Sequence, residues 1–398
     1  LFKNSKVAFI YGSAGTGKST MINYISSLFK DKQKIFLANT NPAVENLRRK
    51  VTAEHADFLT ITRFLSKDAP NDCDILCLDE CSTISNRDMV HVLQRAQFKL
   101  LVLVGDIYQI ESILFGNWFN IAYKMMPKDS VVELTHPHRT TVQGLIEVWN
   151  KVREITEDRL EFITRNGLSS TLDESIFSRT EEDEIVLCLN YDGIYGINNI
   201  NKFLQSNNTN PSISWGVQTY KVGDPVLFNE SNRFAPLVYN NLKGKILQIE
   251  EEEDCIYFTI EVYTVLNELD VIGFDLELKE SVADETSVIR FKVGRSGDGN
   301  DDNDNVENVV PFQVAYAISI HKAQGLEYES VKVVITSEIE EMVSHNIFYT
   351  AITRAKSKLK VYWSPETEKR ILENMKVQFN DKDYQLFKAK HKETLMKS

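Results

Sequence analysis

The run Gly12-Ser13-Ala14-Gly15-Thr16-Gly17-Lys18-Ser19 sets glycine, lysine and a hydroxyl at the G-x-x-x-x-G-K-[ST] spacing. Backbone N–H groups can surround a phosphate only where the chain turns sharply with no side chain in the way. An apolar stretch, Lys6–Tyr11, precedes the run, and a helix pattern to about Phe29 follows it. That order aims the positive end of a helix dipole at the same anion. Lys18 then reaches the outer phosphates, and Ser19 can ligate Mg²⁺. The expected nucleotide contacts are Gly12, Gly15, Thr16, Gly17, Lys18, Ser19 and Thr20.

Two more polar groups end apolar runs. Asp79-Glu80 follows Ile75–Leu78, and Gly105-Asp106-Ile107-Tyr108-Gln109 follows Leu100–Val104. A carboxylate at the end of a neighbouring parallel strand lies near a phosphate loop. Asp79 can hold Mg²⁺ through water, and Glu80 can polarise the attacking water. Gln109 is neutral, able both to hydrogen-bond a γ-phosphate and to orient water. Charge developing on that phosphate also needs cations from outside the loop, and Arg139 and Arg354 are the candidates. The plainer alternatives are an ordinary acidic pair, a polar loop residue, and surface ion pairs worth under about 1 kcal/mol.

These residues need a scaffold that brings distant segments together. Lys34–Ala38 reads as a second strand, and Asp74–Leu78 and Leu100–Val104 are near-continuous apolar runs, as parallel strands buried on both faces require. Helix patterns between them, such as Asn41 to about Val51, indicate an α/β sheet with right-handed crossovers. Residues 141–208 read as helical and acidic with one clear strand, Ile185–Asn190. From Ser212 to about Val265, short β-like runs are punctuated by Gly223-Asp224 and Lys243-Gly244, as in a small barrel. Gly294–Val306 reads as an exposed loop, and from Pro311 the α/β pattern returns; the last thirty residues read as a Lys-rich amphipathic helix or tail.

The 398 residues suffice for two or three domains. No stretch of about 18 apolar residues occurs, so no membrane-spanning helix is expected. Five cysteines without a framework spacing suit a reducing cytoplasm. Cys73, Cys77 and Cys81 recur every four residues, but Cys77 lies in an apolar run and no fourth ligand is near, which favours core packing over metal. The net charge of −12 is uneven. Residues 1–140 carry 17 basic and 14 acidic side chains, residues 141–310 carry 14 and 32, and residues 311–398 carry 14 and 11. Screening confines each charge to about 10 Å, so an acidic middle leaves room for a basic groove elsewhere.

Taken in order, the motifs resemble helicase superfamily 1B, its RecD-like and Dda-like branch, over nearly the whole chain. The phosphate loop, Ala38–Pro42, Thr60–Phe64, Asp79-Glu80, Gly105–Gln109 with Gly116–Phe119, Leu134–Arg139, Ser319–Glu327 and Tyr349–Ala355 carry the likeness. The resemblance implies two RecA-like motor domains, residues 1–140 and residues 141–210 with 311–398, with a reduced subdomain around 50–73. It implies a small SH3-like barrel insert at 211–310. It implies ATP and Mg²⁺ as cofactors, both arginines on the second motor domain, and Gly325 and Glu327 as further nucleotide contacts. Single-stranded DNA is the implied partner, traversed 5′ to 3′ and gripped by Thr40, Asn41, Thr62, Ser319 and His321. Phe64 and Trp118 would stack on bases; core packing is the alternative for these aromatics, and helix capping for the Thr and Asn residues. The insert's cations are Lys221, Arg233, Lys243 and Lys245.

Two features depart from the family. Only Ser66–Cys73 is available for the duplex-splitting pin, so translocation is better supported than unwinding. None of the eleven residues before Gly12 is the adenine-reading Gln. An RNA-directed helicase, or an ATPase switch within a larger protein, remains an alternative. The chain opens at Leu1 rather than Met, as a piece of a longer protein with a fused or partner domain would.

Overall fold

The computed structural model describes residues 6–390 except 14, 67–69, 111–115, 137, 230–232, 236, 282, 296–307, 377–381 and 387. Most of the expected Gly294–Val306 loop, the centre of the short pin segment and much of the C-terminal tail lie outside the described residues.

The first layer is a six-stranded parallel sheet of β1 (Val7–Gly12), β2 (Lys34–Ala38), β3 (Ala56–Thr60), β4 (Ile75–Leu78), β5 (Leu100–Gly105) and β6 (Val131–Leu134), in the order β3-β2-β4-β5-β1-β6. Its apolar runs are explained by burial on both faces. Along β1, Phe9 and Tyr11 join one cluster with Leu76, Leu78 and Phe119, while Ala8 and Ile10 join another with Ile22, Phe36 and Val104. Helices α1 (Lys18–Leu28), α2 (Asn41–Lys50), α3 (Ile61–Phe64), α4 (Asn86–Arg95) and α5 (Trp118–Met125) cover it. Side-chain hydroxyls start three of them: Thr40 accepts from Ala43 N–H, Thr60 from Arg63 N–H and Ser85 from Asp88 N–H.

Helices α6 (Gln143–Glu154) and α7 (Arg159–Arg165) lead into a second sheet. It comprises β7 (Ser169–Ser170), β8 (Glu184–Cys188), β17 (Ala317–Ser319), β18 (Tyr328–Val334) and β19 (Ala355–Tyr362), all parallel, in the order β17-β8-β18-β19-β7. Helices α8 (Ile197–Ser206), α9 (His345–Ile352) and α10 (Pro365–Asn374) flank it. The expected pair of RecA-like parallel sheets is therefore present. In the C-terminal tail, Asp383 returns to the first layer and accepts from Asn117 Nδ2 at 2.7 Å.

Between β8 and β17 the chain makes a hairpin, β9 (Ser212–Trp215) with β10 (Gln218–Lys221), then an antiparallel sheet. That sheet contains β11 (Pro225–Phe228), β12 (Lys243–Glu251), β13 (Cys255–Val262), β14 (Glu277–Lys279), β15 (Ser287–Gly294) and β16 (Phe312–Val314), in the order β14-β15-β13-β12-β11-β16. Along β13, Ile256, Phe258, Ile260 and Val262 are buried while the residues between them are half-exposed, the two-residue period of a one-faced sheet. The insert's sheet reaches Val314, so the return to the second parallel sheet begins at β17 rather than at Pro311.

Candidate active site between the two parallel sheets

Register brings the chemistry to one edge. Tyr11 lies beside Gly105, Leu78 beside Leu103, and Gly12 beside Leu134, so β1, β4, β5 and β6 all release their loops on the same side. Ligands in open α/β sheets bind at that carboxyl edge. The resulting cleft is lined by Gly15, Gly17, Lys18, Ser19, Thr20, Asp79, Glu80 and Gln109 from the first layer and by Gly325, Glu327 and Arg354 from the second.

The phosphate loop is held open by backbone geometry. Gly15 and Gly17 have φ of 75° and 82°, the left-handed region. A β-carbon on Gly15 would sit 2.3 Å from Arg139 Cβ, and one on Gly12 2.5 Å from Thr16 Oγ1. Lys18 donates to the carbonyls of Gly12 and Ser13 at 2.9 and 2.8 Å, folded back on its own loop. Burial pushes its ammonium pKa down, opposed by Asp106 and Asp79. Thr16 Oγ1 braces the loop by donating to Ser13 O at 2.9 Å.

Asp79 and Glu80 stand opposite. Asp79 Oδ1 accepts from Glu80 N–H at 2.8 Å. Glu80 itself has φ 51°, rare for a residue with a side chain and a mark of a backbone held for its task. Burial, then the Asp79 charge, pushes its carboxyl up to about 7, with Arg354 and Lys18 opposing. A β-carbon on Gly325 would lie 3.6 Å from Glu80 Oε1, so the second layer reaches the carboxylate directly.

Both arginines point into the cleft. Arg354 is 2% exposed and donates to Thr350 O, Leu326 O and Thr353 Oγ1. Burial, then the neighbouring Arg139, pushes it down to about 10. Arg139 hangs beyond the end of β6, on the first sheet, and crosses to the second. Its guanidinium donates to Thr353 O at 2.6 Å and pairs with Glu327 at 2.5 Å. Arg354 lies within the second layer, whereas Arg139 lies in the connector between β6 and α6, its backbone beside Gly15 and its guanidinium on the second layer. Burial pushes the Glu327 carboxyl up, but Arg139, Lys50 and Arg354 outweigh it and hold it at about 2.

Several lining groups were missed in the sequence. Asn46 and Lys50 reach the cleft from α2, and His138 from the segment after β6. Asp106 is 2% exposed, and its Oδ1 accepts from Tyr108 N–H at 3.0 Å. The basic run Arg48-Arg49-Lys50 was the one signal for the α2 contribution. The loop after β5 also grips the second layer: Ile110 N–H donates to Thr350 Oγ1 at 3.1 Å, and Tyr108 packs edge-on against Tyr349. The buried Nε of Arg139 has no partner among the described residues. Together with the glycine cradle and three converging cations, this donor set fits a polyphosphate, and Ser19 with Asp79 fits its divalent ion.

The nucleic-acid candidates divide. Thr62, Asn41 and His321 are exposed and Thr40 is half-exposed, although Thr40 also caps α2. Ser319 is 6% exposed, and its Oγ accepts from Lys322 N–H. Phe64 is fully buried in the first core with Arg95 over its ring, so it cannot stack on a base; the helical turn Ile61–Phe64 points it inward. Trp118 is half-buried and donates from Nε1 to Ile84 O at 2.9 Å. The insert's four cations are engaged internally: Lys221 with Gln205 O and Asn208 O, Arg233 with Asp275, Lys243 with Asp183 and Lys245 with Glu182. Three of the four pair with carboxylates of the acidic residues 141–310, and Lys221 with backbone carbonyls.

Comparison with known proteins gives the same picture. A family model described as an AAA domain matches residues 1–173, and one described as a UvrD-like helicase C-terminal domain matches residues 314–362. An uncharacterized protein, MJ1519 of Methanocaldococcus jannaschii, is 25% identical over 91% of this chain and 37% of its own length. The RecBCD subunit RecD of Mycolicibacterium smegmatis is 22% identical over 88% and 67%, and the ATP-dependent DNA helicase Pif1 of Campylobacter jejuni is 23% identical over 89% and 88%. The chain thus spans little more than a third of the first relative and about two thirds of the second. Among solved structures, Pif1 helicase from Candida albicans superposes with a TM-score of 0.54 at 20% identity, covering 92% of this chain and 94% of that one. Bacteroides Pif1 in complex with ADP-AlF3 and single-stranded DNA gives 0.52 at 16%, covering 91% and 89%. These likenesses show the fold.

Proposed function

This chain is a RecD/Pif1-like member of helicase superfamily 1B, and from that premise we propose that it hydrolyses ATP to step along single-stranded DNA from 5′ to 3′. The observation that carries the reading is the cleft itself, where Lys18, Asp79 and Glu80 of one parallel sheet face Arg354 of the other. A site completed only when two layers meet couples each turnover to their relative motion.

In this reading residues 1–140 form the first motor domain, residues 141–210 with the chain from β17 onward the second, and residues 211–314 the insert. Gly12, Gly15, Thr16, Gly17, Ser19 and Thr20 cradle the phosphates. Lys18 leaves the loop carbonyls for the β- and γ-phosphates. Ser19 and Asp79 hold Mg²⁺, which supplies charge neutralisation at the phosphate oxygens. Glu80 takes the proton of the attacking water, and Gln109 orients that water. Arg354 and Arg139 stabilise the charge that develops on the transferred group. Glu327 and Gly325 complete the nucleotide's surroundings. Thr40, Asn41, Thr62, Ser319 and His321 are the proposed contacts to the strand's backbone and Trp118 the proposed stacking platform; none reads base edges, so sequence is not read. Among the described residues no helix is long and apolar enough to cross a membrane.

Polarity is tested by streptavidin displacement, which needs no pin. A biotin at the 3′ end of an oligonucleotide should lose its streptavidin in an ATP-dependent reaction, while one at the 5′ end keeps it. The reverse preference, or none, contradicts directional stepping 5′ to 3′.

A further inference from the structure

Lys243 opens β12 of the insert, yet its side chain leaves the insert. Its Nζ donates to Asp183 Oδ1 at 2.6 Å and to the backbone carbonyl of Glu327 at 3.1 Å. The ammonium also lies 4.1 Å from the centroid of the Tyr328 ring and 5.1 Å from that of Tyr263. Its side chain is 18% exposed, and burial pushes its pKa down with Asp183 opposing. Asp183 completes the clasp: its Oδ2 accepts from Glu329 N–H at 3.2 Å and its backbone oxygen from Ser330 N–H at 3.1 Å.

Besides Asp183, Lys243 touches two residues on the second layer, and these are cleft residues or their immediate support. Glu327 carries the carboxylate that grips Arg139. Tyr328 is buried, and its N–H donates to the backbone oxygen of Arg354 at 3.0 Å. On its other side Lys243 is roofed by Tyr263, whose carbonyl accepts from Arg49 of α2 at 3.3 Å. Helix α2 in turn lines the cleft with Asn46 and Lys50. One insert side chain thus stands between the first layer's α2 and the segment that holds both arginines. The insert has its own packed core of Phe228, Phe258, Phe291 and Phe312, so any displacement of that core would carry Lys243 with it.

We infer that Lys243 is a positioning residue through which the insert governs closure of the ATP cleft, so that the gain in hydrolysis on strand binding depends on how the insert is seated against the second layer. The inference rests on the function proposed above and deepens it. It concerns an interior tie, not a strand contact: the ammonium is fully engaged within the protein. Displacing the insert relative to the second layer pulls the ammonium from Asp183 and from the Glu327 carbonyl, loosening the residue that fixes Arg139.

The test uses the intact chain and three variants: Lys243→Met, which keeps an unbranched stem over Tyr328 without the charge, Lys243→Arg, and Asp183→Asn. Steady-state ATPase is measured with and without single-stranded DNA, and DNA affinity is measured separately. Lys243→Met should cut the DNA-stimulated rate relative to the basal rate by about tenfold, within the usual range of site-to-site coupling. DNA affinity should hold, Lys243→Arg should restore most of the ratio, and Asp183→Asn should reproduce the loss. If Lys243→Met does not fold, Asp183→Asn carries the same reading. A wild-type rate indifferent to DNA would overturn the function and this inference together. A responsive wild type matched by an equally responsive Lys243→Met, basal and stimulated rates falling in step, or a loss of ratio explained by weaker DNA binding would overturn the inference alone.

Discussion

Replacing Arg354 by alanine should lower kcat for ATP hydrolysis by about 10³–10⁵ while leaving nucleotide affinity within about tenfold. The arginine is held by two carbonyls and a hydroxyl of its own layer, with no carboxylate partner among its hydrogen bonds. A buried guanidinium that no carboxylate hydrogen-bonds, with Glu80 and Glu327 acting on it only through space, is costly unless its charge is needed when the site fills. Its effect belongs to the transition state, where charge on the transferred phosphoryl group is greatest, so the loss falls on kcat. Single-turnover hydrolysis alongside fluorescent-nucleotide binding separates the two quantities. Arg354→Lys serves as the control for packing: it keeps a cation but not the planar fork, and should recover only part of the rate. Equal losses in binding and turnover would instead make Arg354 a ground-state contact.

Glu80→Gln should cost about 10²–10⁴ in turnover, the range for removing a positioned general base. The substitution preserves shape beside Gly325 and removes only the ability to accept a proton. The wild-type pH profile provides an independent check. Burial and the Asp79 charge raise the Glu80 carboxyl to about 7, and the base works only when ionised. The kcat/KM of the free enzyme should therefore rise with pH through about 7 and then level, falling roughly tenfold per unit on the acid side. Glu80→Gln should lack that ascending limb. A limb that persists in the variant would assign the titration to another group, with Asp106 and Asp79 next in line because burial raises both.

The sequence disclosed the parts of this protein whose physics is local. Lys34–Ala38 is bounded in the structure as the sequence predicts, because a strand buried on both faces is apolar along its length; the buried Lys34 at its start is accommodated by donating to the carbonyls of Lys30, Lys32 and Glu54. The phosphate loop was legible because its backbone demands glycine at fixed spacing, and the left-handed Gly15 and Gly17 show why. What stayed hidden depends on contacts between distant segments. Nothing in Thr60–Phe64 says that the phenyl ring turns into the core, since an exposed stacking platform and a core aromatic are spelled alike. By resemblance Arg139 reads as a finger from the second layer; that it sits in the connector after β6 and reaches across to Thr353 and Glu327 depends on contacts that only the folded chain makes. The insert's cations looked available because their acidic partners Asp183, Glu182 and Asp275 lie elsewhere in the chain. Asn46 and Lys50 escaped notice because a helix face acquires its meaning only from the loop it is packed beside.

The central claim is that strand binding and ATP hydrolysis are one coupled event. It is tested most directly by steady-state ATPase measured alone, with single-stranded DNA and with single-stranded RNA, using Lys18→Ala to exclude contaminating activity. Strong stimulation by DNA that vanishes in Lys18→Ala is the expected result. Preference for RNA would redirect the same machinery to the other polymer. Hydrolysis indifferent to both would contradict the motor.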